Sequence, residues 1–355
     1  MLRLNRYIGR TVLAAMLLVL LVIVGIDLLT ALIDEADDVQ GDYSFASAML
    51  YVLMTTPARF HEYLPFAALV GCLAGLGSLA GNSELVVMRA AGVSARRLVW
   101  AVLRPTLVLT LAGLLIGEYV APRILQIAES YKAVALQRED RAHSEYGLWH
   151  REGDRFMHFN AVEPNGVLYG VSVYEFGPGQ GAGLVRSLYA RRAIFLDDYW
   201  LMEEVKEVSF GDNEAEQQHF ANRRWDTGLT PDLLNLIVLQ PQDLATTGLW
   251  NYAKYLSDQG INAGEYELAF WNKLLQPLTI IALVMIAISF VFGPLRNVTM
   301  GQRVFAGVMV GIVFRTLQEM LGPASLVYGF PPMLASLLPV VLCLLAGAWL
   351  LKARA

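Results

Sequence analysis

Long apolar segments at both ends of the chain constrain the fold more than any other feature. Four of them run almost without charge: Val12 to Ile26, Leu98 to Leu115, Leu274 to Phe292 and Met333 to Leu351. A helix needs about 20 apolar residues to cross the ~30 Å hydrocarbon core of a bilayer. The pattern predicts an α-helical integral membrane protein with six transmembrane helices, three on each side of a polar central segment.

This layout predicts three regions. Residues 1–128 hold transmembrane helices 1–3, residues 129–266 form an extramembrane domain with a helical return, and residues 267–355 hold transmembrane helices 4–6. The second crossing is predicted at Leu64 to Ala80. Residues 44–56 are predicted to be an interfacial or re-entrant helix, because Pro57 removes a backbone donor and charged residues follow it.

The basic residues set the expected orientation. Those in short connectors and at the ends are Arg3, Arg6, Arg10, Arg89, Arg96, Arg97, Arg296, Arg303, Lys352 and Arg354. Cytoplasmic loops are enriched in Lys and Arg. We therefore expect both termini inside and the acidic central domain outside, which is the periplasm in a cell with two membranes. The first apolar segment is expected to stay uncleaved, because no small-x-small site follows it.

The central domain has the pattern of β structure. Short runs follow one another from Gly147 to Trp225, with turn residues such as Arg151-Glu-Gly-Asp154 and the glycine-rich stretch 177–183 between them. Closely spaced short strands are typical of a sandwich or jelly roll. We expect an all-β, jelly-roll-like domain, after which helices from Gln242 to Trp271 lead back to the membrane.

The chemistry-bearing residues argue against an enzyme. The chain has no Gly-Lys dipeptide and so no Walker A loop, and its five histidines form no HExxH arrangement. Its two cysteines, Cys72 and Cys343, lie in apolar segments, where they read as small hydrophobic residues. We expect no catalytic residue, no metal and no cofactor.

Three polar features of the apolar segments have two interpretations each. Gly307 and Gly311 have small-xxx-small spacing, which suits either packing within the chain or a dimer seam. Arg315 and Glu319 can pair with each other at i, i+4, or Arg315 can line a path for an amphiphile. Asp27, near the outer end of the first helix, is a gate candidate or an interfacial group.

The connector 82–97 is the strongest local signal. Ser83 can cap a short helix that begins with Glu84, Gly92 can end it and Ser94 can cap the next helix. With Leu85, Met88 and Arg89 exposed, such a helix suits docking into a groove on a partner. A plain turn between two helices is the alternative.

Several motifs resemble the LptF/LptG permease family. They are Tyr7-Ile-Gly-Arg-Thr11, Ser83-Glu-Leu-Val-Val-Met88 with Ala91-Gly92, Gly117-Glu-Tyr-Val-Ala-Pro122, Gly147-Leu-Trp149, Phe292-Gly-Pro-Leu-Arg296 and Leu326-Val-Tyr-Gly-Phe-Pro-Pro332. They cover both membrane halves and the domain between them. The connector and the Leu-Val-Tyr-Gly-x-Pro-Pro turn resemble the LptG branch more than the LptF branch.

The resemblance implies a permease subunit of an ABC transporter in the bacterial inner membrane. It implies an LptF-like permease beside this chain, an LptB-like ATPase dimer that binds the ATP, an LptC-like bridge protein, and lipopolysaccharide as cargo; nucleic acid is not expected. It also implies that Glu84 meets the ATPase and that helices one and five form lateral gates.

One departure from the family pattern affects cargo recognition. The family often has basic residues at the outer end of the first helix, where this chain has Asp34-Glu-Ala-Asp-Asp38. Lys132 is then the nearest matching outer cation, with Arg59 as a possible substitute and Arg315 deeper. The alternative to a permease is a membrane-anchored periplasmic scaffold or sensor without transport activity.

Overall fold

The fold was obtained as a computed structural model. It describes residues 2–39, 43–137, 148–163, 166–177, 183–196, 198–211, 215–231, 233–234, 239–258, 262–292 and 298–352. The connector cation Arg296 and most of the glycine-rich stretch expected to form a turn lie outside these residues.

The described part of the chain has six helices long and apolar enough to cross a membrane, which confirms the expected number. The helices are α1 (Leu2–Ala36), α2 (Phe45–Gly81), α3 (Glu84–Ala90), α4 (Ala95–Leu115), α5 (Ala121–Gln137), α6 (Thr246–Asp258), α7 (Gly264–Phe292), α8 (Met300–Tyr328) and α9 (Pro332–Lys352). A π-helical turn, Ile116–Val120, joins α4 to α5, so these two helices make one long span. The spans are α1, α2, α4 with α5, α7, α8 and α9.

The second span differs from the expectation. Helix α2 continues through Pro57 and Pro65 instead of breaking into an interfacial helix and a shorter crossing. A proline removes only one helical hydrogen bond, and a neighbouring side chain can satisfy the carbonyl that it frees. Pro65 frees the His61 carbonyl, which accepts a 2.9 Å hydrogen bond from the side-chain amide of Gln276 on α7. The missing donor is thus tolerated within one continuous helix.

Glycines bring α1 and α2 into close contact. A Cβ at Gly71 would lie 2.4 Å from the Met16 Cα, and one at Gly75 would lie 2.9 Å from the Val12 Cα. Backbones approach this closely only where a helix has no side chain. Gly71 and Gly75 therefore serve packing within the chain.

The central domain is one antiparallel sheet. Its strands are β1 (Leu148–Glu152), β2 (Arg155–Glu163), β3 (Val167–Phe176), β4 (Leu184–Leu196), β5 (Tyr199–Phe210) and β6 (Ala215–Trp225). They pair in sequence order, each with the next. The inserted all-β domain is confirmed, and its described strands form a meander without the crossover of a two-sheet Greek key.

The sheet curls until its two ends face each other. Strands lie about 4.8 Å apart, so a flat sheet would place β2 and β6 roughly 19 Å apart. The rings of Phe159 on β2 and Trp225 on β6 have centroids only 6.4 Å apart. The concave face encloses an apolar core that includes Met157, Leu168 and Trp200, all fully buried.

The segment after β6 ties the curled sheet together. The Thr227 hydroxyl and the Gly228 amide donate to the Glu152 carboxylate of β1 at 2.8 and 2.9 Å. The Trp200 indole donates to the Leu229 carbonyl at 2.8 Å. Strands β1 and β5 are thus joined through this segment.

Alternating charges cross the concave face beside the apolar core. Arg155 and Arg186 both pair with Glu175, and Arg186 also pairs with Glu207 at 3.1 Å. Burial alone would raise the pKa of the Glu175 carboxyl, but the two guanidinium groups outweigh it and hold that pKa below its usual range. Glu175 is therefore ionised at neutral pH, and the ion pairs link β2, β3, β4 and β5.

The contacts divide the chain into two compact units whose borders differ from the expected domains. One unit consists of Met1–Ala31, Thr56–Pro122 and Pro241–Ala355, and the other of Leu32–Thr55 and Arg123–Gln240. The end of α1, the start of α2 and helix α5 group with the β-sheet, whereas the return helix α6 groups with the membrane spans.

Candidate functional site

The connector helix α3 forms as expected, but its caps differ. Ser83 adopts a left-handed backbone conformation, and neither Ser83 nor Ser94 makes a side-chain cap hydrogen bond. Gly92 follows the helix with a φ of 83°, a conformation that glycine adopts without strain. Its amide donates to the Arg89 carbonyl at 3.0 Å, so Gly92 ends the helix as predicted.

The face that α3 exposes also differs from the expectation. Leu85 and Met88 were expected to be exposed, but they are 4% and 9% exposed and belong to the core of the membrane unit. They are three residues apart and so lie on one side of the helix, which packs inward. Val86 and Val87, 50% and 65% exposed, occupy the outward side together with Arg89.

Glu84 stands at the edge of this outward side. It is half-buried and lies near the Tyr7 hydroxyl on α1. A carboxylate beside an exposed apolar pair can give a partner's groove both a charged and an apolar contact. Helix α3 therefore presents a compact surface that is connected to the first span.

The predicted gate residue Asp27 joins two helices. Its carboxylate pairs with the Arg59 guanidinium and accepts a 2.7 Å hydrogen bond from the Tyr63 hydroxyl. Both partners lie on α2, so Asp27 links α1 to α2. Arg59, the possible substitute cation, is therefore already paired with a carboxylate.

Lys132 is likewise held by carboxylates. Its ammonium lies 2.6 Å from a Glu35 oxygen and 2.8 Å from an Asp38 oxygen, and its nitrogen lies 5.1 Å from the centre of the Tyr51 ring. The Tyr43 hydroxyl donates to Glu35 at 2.7 Å. Two carboxylates of the acidic run 34–38, Glu35 and Asp38, thus neutralise Lys132.

Arg315 has two partners, one more than the sequence indicated. Its Nε lies 2.6 Å from Glu319 on the same helix, and its Nη1 lies 3.2 Å from Glu62 on α2. All three side chains are about half exposed. The pairing therefore joins α8 to α2 at a place open to solvent or ligand.

A pocket with both polar and apolar lining residues adjoins this ion pair within the membrane unit. It has a volume of about 620 Å³ and is lined by parts of α2, α7 and α8, the π-helical turn and residues 241–243. Arg315, Glu62 and Glu319 lie on its wall, together with His61 and Lys273. Ligand pockets between helices typically combine an apolar lining with a few polar side chains in this way.

Lys273 anchors the wall of the pocket. Its buried ammonium donates to the Gly117 carbonyl at 2.8 Å and the Leu244 carbonyl at 2.7 Å. Gly117 lies in the π-helical turn, where the regular i to i−4 bonding is interrupted. Lys273 thus joins the third span, the approach to α6 and its own helix α7.

Glu118 of the same turn holds α6. Its carboxylate accepts hydrogen bonds from the Thr246 amide and hydroxyl at 2.9 and 2.7 Å. A carboxylate at the start of a helix satisfies free amides and complements the helix dipole. Glu118 is therefore a cap that the π-helical turn supplies to α6.

The glycines of α8 pack within the chain. A Cβ at Gly307 would lie 2.5 Å from Leu73, and one at Gly311 would lie 3.0 Å from Phe66. Both partners are on α2, so the structure shows packing within the chain, which is the first of the two interpretations of this spacing.

Among the described residues, no group of three His, Cys, Asp or Glu side chains could hold a metal ion.

Comparison with known proteins identifies the family. The family described as lipopolysaccharide export system permease LptF/LptG matches residues 6–353. This chain belongs to that family.

Among its curated relatives, the lipopolysaccharide export system permease protein LptG of Escherichia coli K12 is 36% identical over 355 residues, which cover 99% of this chain and 98% of the relative. The LptG protein of Haemophilus influenzae is 32% identical over 354 residues, with the same coverage of both chains. The similarity to LptG proteins thus runs through the membrane spans and the β domain alike.

Sequence reasoning missed Glu62, Lys273 and Tyr7 as parts of these sites. Glu62 is one of the charges that follow Pro57, and the sequence pattern does not single out Lys273. Both are charged residues within the observed spans α2 and α7, where a charge needs a partner. That signal was present, but the partner of each lies on another helix far away in sequence.

Replacing the buried lysine tests its structural role. We predict that Lys273→Met lowers the thermal stability of the purified protein in detergent, because two carbonyls lose their donor at about 1–3 kcal/mol each. The exposed Lys254 of α6 offers a matched control, and Lys254→Met should melt like the parent. Equal melting temperatures for all three proteins would contradict the anchoring role of Lys273.

Proposed function

We propose that this chain is an LptG-type permease subunit of the lipopolysaccharide export transporter and is powered by a separate ATPase. The observation that carries the proposal is the full-length match to the family and to LptG proteins. The connector α3 and the pocket add physical support, because a scaffold or sensor needs neither. ATP would be bound by the partner ATPase.

The partners follow from the same assignment. An LptF-like permease would lie against α1 and α8, whose apolar stretches are only 22% and 17% buried within this chain. An LptB-like ATPase dimer would bind α3, and an LptC-like bridge protein would receive the glycolipid beyond the membrane. Large apolar surfaces on two spans fit either lipid or another helix of the complex.

For the ATPase contact we propose a different face of α3 from the one that the sequence predicts. Glu84, Val86, Val87 and Arg89 would contact the ATPase, and Leu85 and Met88 would hold α3 against the bundle. The apolar pair supplies area, and Glu84 supplies the charged contact. Because Glu84 lies near Tyr7 of α1, a displacement of α3 would be transmitted to α1, the proposed gate.

The lipid site is proposed at the pocket beside α8. Arg315 and Glu319 would meet the polar part of the glycolipid, and Gly307 and Gly311 would hold α8 close to α2 below them. Asp27 would fix α1 on α2. Because Lys132 is engaged with Glu35 and Asp38, it would contribute to the shape of that region more than to phosphate binding.

The ATPase contact can be tested by charge reversal. We predict that Glu84→Arg reduces lipid-stimulated ATP hydrolysis of the assembled complex by more than about tenfold, because reversing a charge at a desolvated contact costs several kcal/mol. The spans should stay folded, since Glu84 belongs to none of them. Asp258→Arg on the exposed side of α6 is the matched control. Undiminished hydrolysis in Glu84→Arg would refute the contact.

The orientation is also a proposal, with both termini in the cytoplasm and the β domain in the periplasm. We predict that a cysteine at Gly183, whose Cβ has open space around it, reacts with a membrane-impermeant thiol reagent in intact spheroplasts. A cysteine at the exposed Asn82 should react only after permeabilisation, as the distribution of basic residues requires. Labelling of Asn82→Cys in intact spheroplasts would contradict this orientation.

A further inference from the structure

Helices α2 and α8 meet along one line of contacts that rises in steps of four residues on α8. At its lower end, the buried Arg303 guanidinium donates to the Gly77 carbonyl at 2.5 Å. Gly307 follows against Leu73, and Gly311 against Phe66. The numbers fall on α2 as they rise on α8, so the helices run antiparallel.

The Glu62–Arg315 pair is the next and last step of this line. Beyond it, α8 continues along the pocket from Gln318 to Leu326, and Gly322 approaches Leu268 of α7 there. The ion pair therefore lies where this line of contacts reaches the wall of the pocket.

The two carboxylates that pair with Arg315 lie on different helices. Glu319 lies on α8 and moves with Arg315, whereas Glu62 lies on α2. Losing the bond to Glu62 would therefore free α8 from α2 at the edge of the pocket. Losing the bond to Glu319 would leave the distance between the helices unchanged.

The pair is weak enough to be displaced. Half-exposed ion pairs contribute little, because water competes for both charges. A phosphate monoester binds a guanidinium through two parallel hydrogen bonds and carries more charge than one carboxylate. A phosphate that entered the pocket would thus compete favourably with Glu62 for Arg315.

We propose that Glu62 is a positioning residue that latches α8 onto α2 through Arg315, and that the phosphate of a glycolipid headgroup releases this latch by replacing Glu62. A ligand shifts a conformational equilibrium only if it binds one state better than the other. Here the released state offers the Nη1 side of the guanidinium, which Glu62 occupies in the latched state, while Glu319 stays paired with Nε in both. The inference rests on the proposed function, since it assigns a regulation to the same pocket.

The latch can be measured as a distance between the two helices. Spin labels at Ser78 of α2 and Met320 of α8 are both exposed and outside the pocket, so they report the position of the upper part of α8. They are placed in the full permease–ATPase complex after Cys72→Ala and Cys343→Ala. Pulsed electron paramagnetic resonance then gives the distance distribution with and without lipid A, and with inorganic phosphate alone.

We expect lipid A to shift the parent toward longer distances. Glu62→Gln should show the longer distances without lipid, with about two- to fivefold more of that population, as the loss of one half-exposed pair implies. Arg315→Gln should resemble Glu62→Gln and fail to respond to lipid A. Glu267→Gln, the same change at an exposed position of α7 outside the pocket, should match the parent.

Three results would overturn the latch. The first is that Glu62→Gln has the same distance distribution as the parent. The second is that the parent distribution does not change although mass spectrometry shows lipid A bound. The third is that inorganic phosphate alone causes the full shift, which would assign the site to the free anion. If the complex exports glycolipid but Glu62→Gln leaves the distance distribution unchanged, only the latch is refuted. A parent complex that exports none refutes the proposed function itself.

Discussion

The close contact that α2 makes on two sides is the constraint on which the membrane unit depends. Gly71 and Gly75 let α1 reach its backbone, and Gly307 and Gly311 let α8 pack against its side chains. As a result, 72% of the most apolar stretch of α2 is buried within the chain, compared with 17% for α8. Without a hydrophobic force between helices in lipid, such close packing is a main source of association. Helix α2 is the central element, and α1 and α8 lie against it with large faces open to lipid or partners.

Charges in the spans follow the same organisation. Asp27 meets Arg59 and Tyr63 across α1 and α2, Lys273 meets two carbonyls across three segments, and Arg315 meets Glu62 across α2 and α8. A charge in a membrane is costly unless it is paired or faces a cavity. Most of these groups therefore join helices. The Arg315 pair differs because it is half exposed and borders the pocket, which makes it the place where cargo can act on a helix contact.

The sequence predicted the large features because they follow from length and period. About 20 apolar residues define a span, and alternating short runs define strands, so the six spans and the inserted β domain were confirmed. Features that depend on distant partners were not predictable. Leu85 and Met88 of α3 face the bundle, which a seven-residue pattern cannot reveal, and the carbonyl that Pro65 frees within α2 is satisfied by Gln276 of the distant helix α7. The roles of the predicted site residues, such as Glu84, Arg315 and Lys132, stay predictions, but their partners now define which substitutions are informative.

The central claim is that this chain moves glycolipid with energy supplied by a separate ATPase. The most direct measurement is lipopolysaccharide transfer from proteoliposomes that contain this chain, its partner permease and the ATPase to a soluble acceptor from the bridge. The account predicts transfer with ATP and none with a non-hydrolysable analogue or without this chain. Transfer at the same rate from vesicles that lack the chain, or in the absence of ATP hydrolysis, would contradict it.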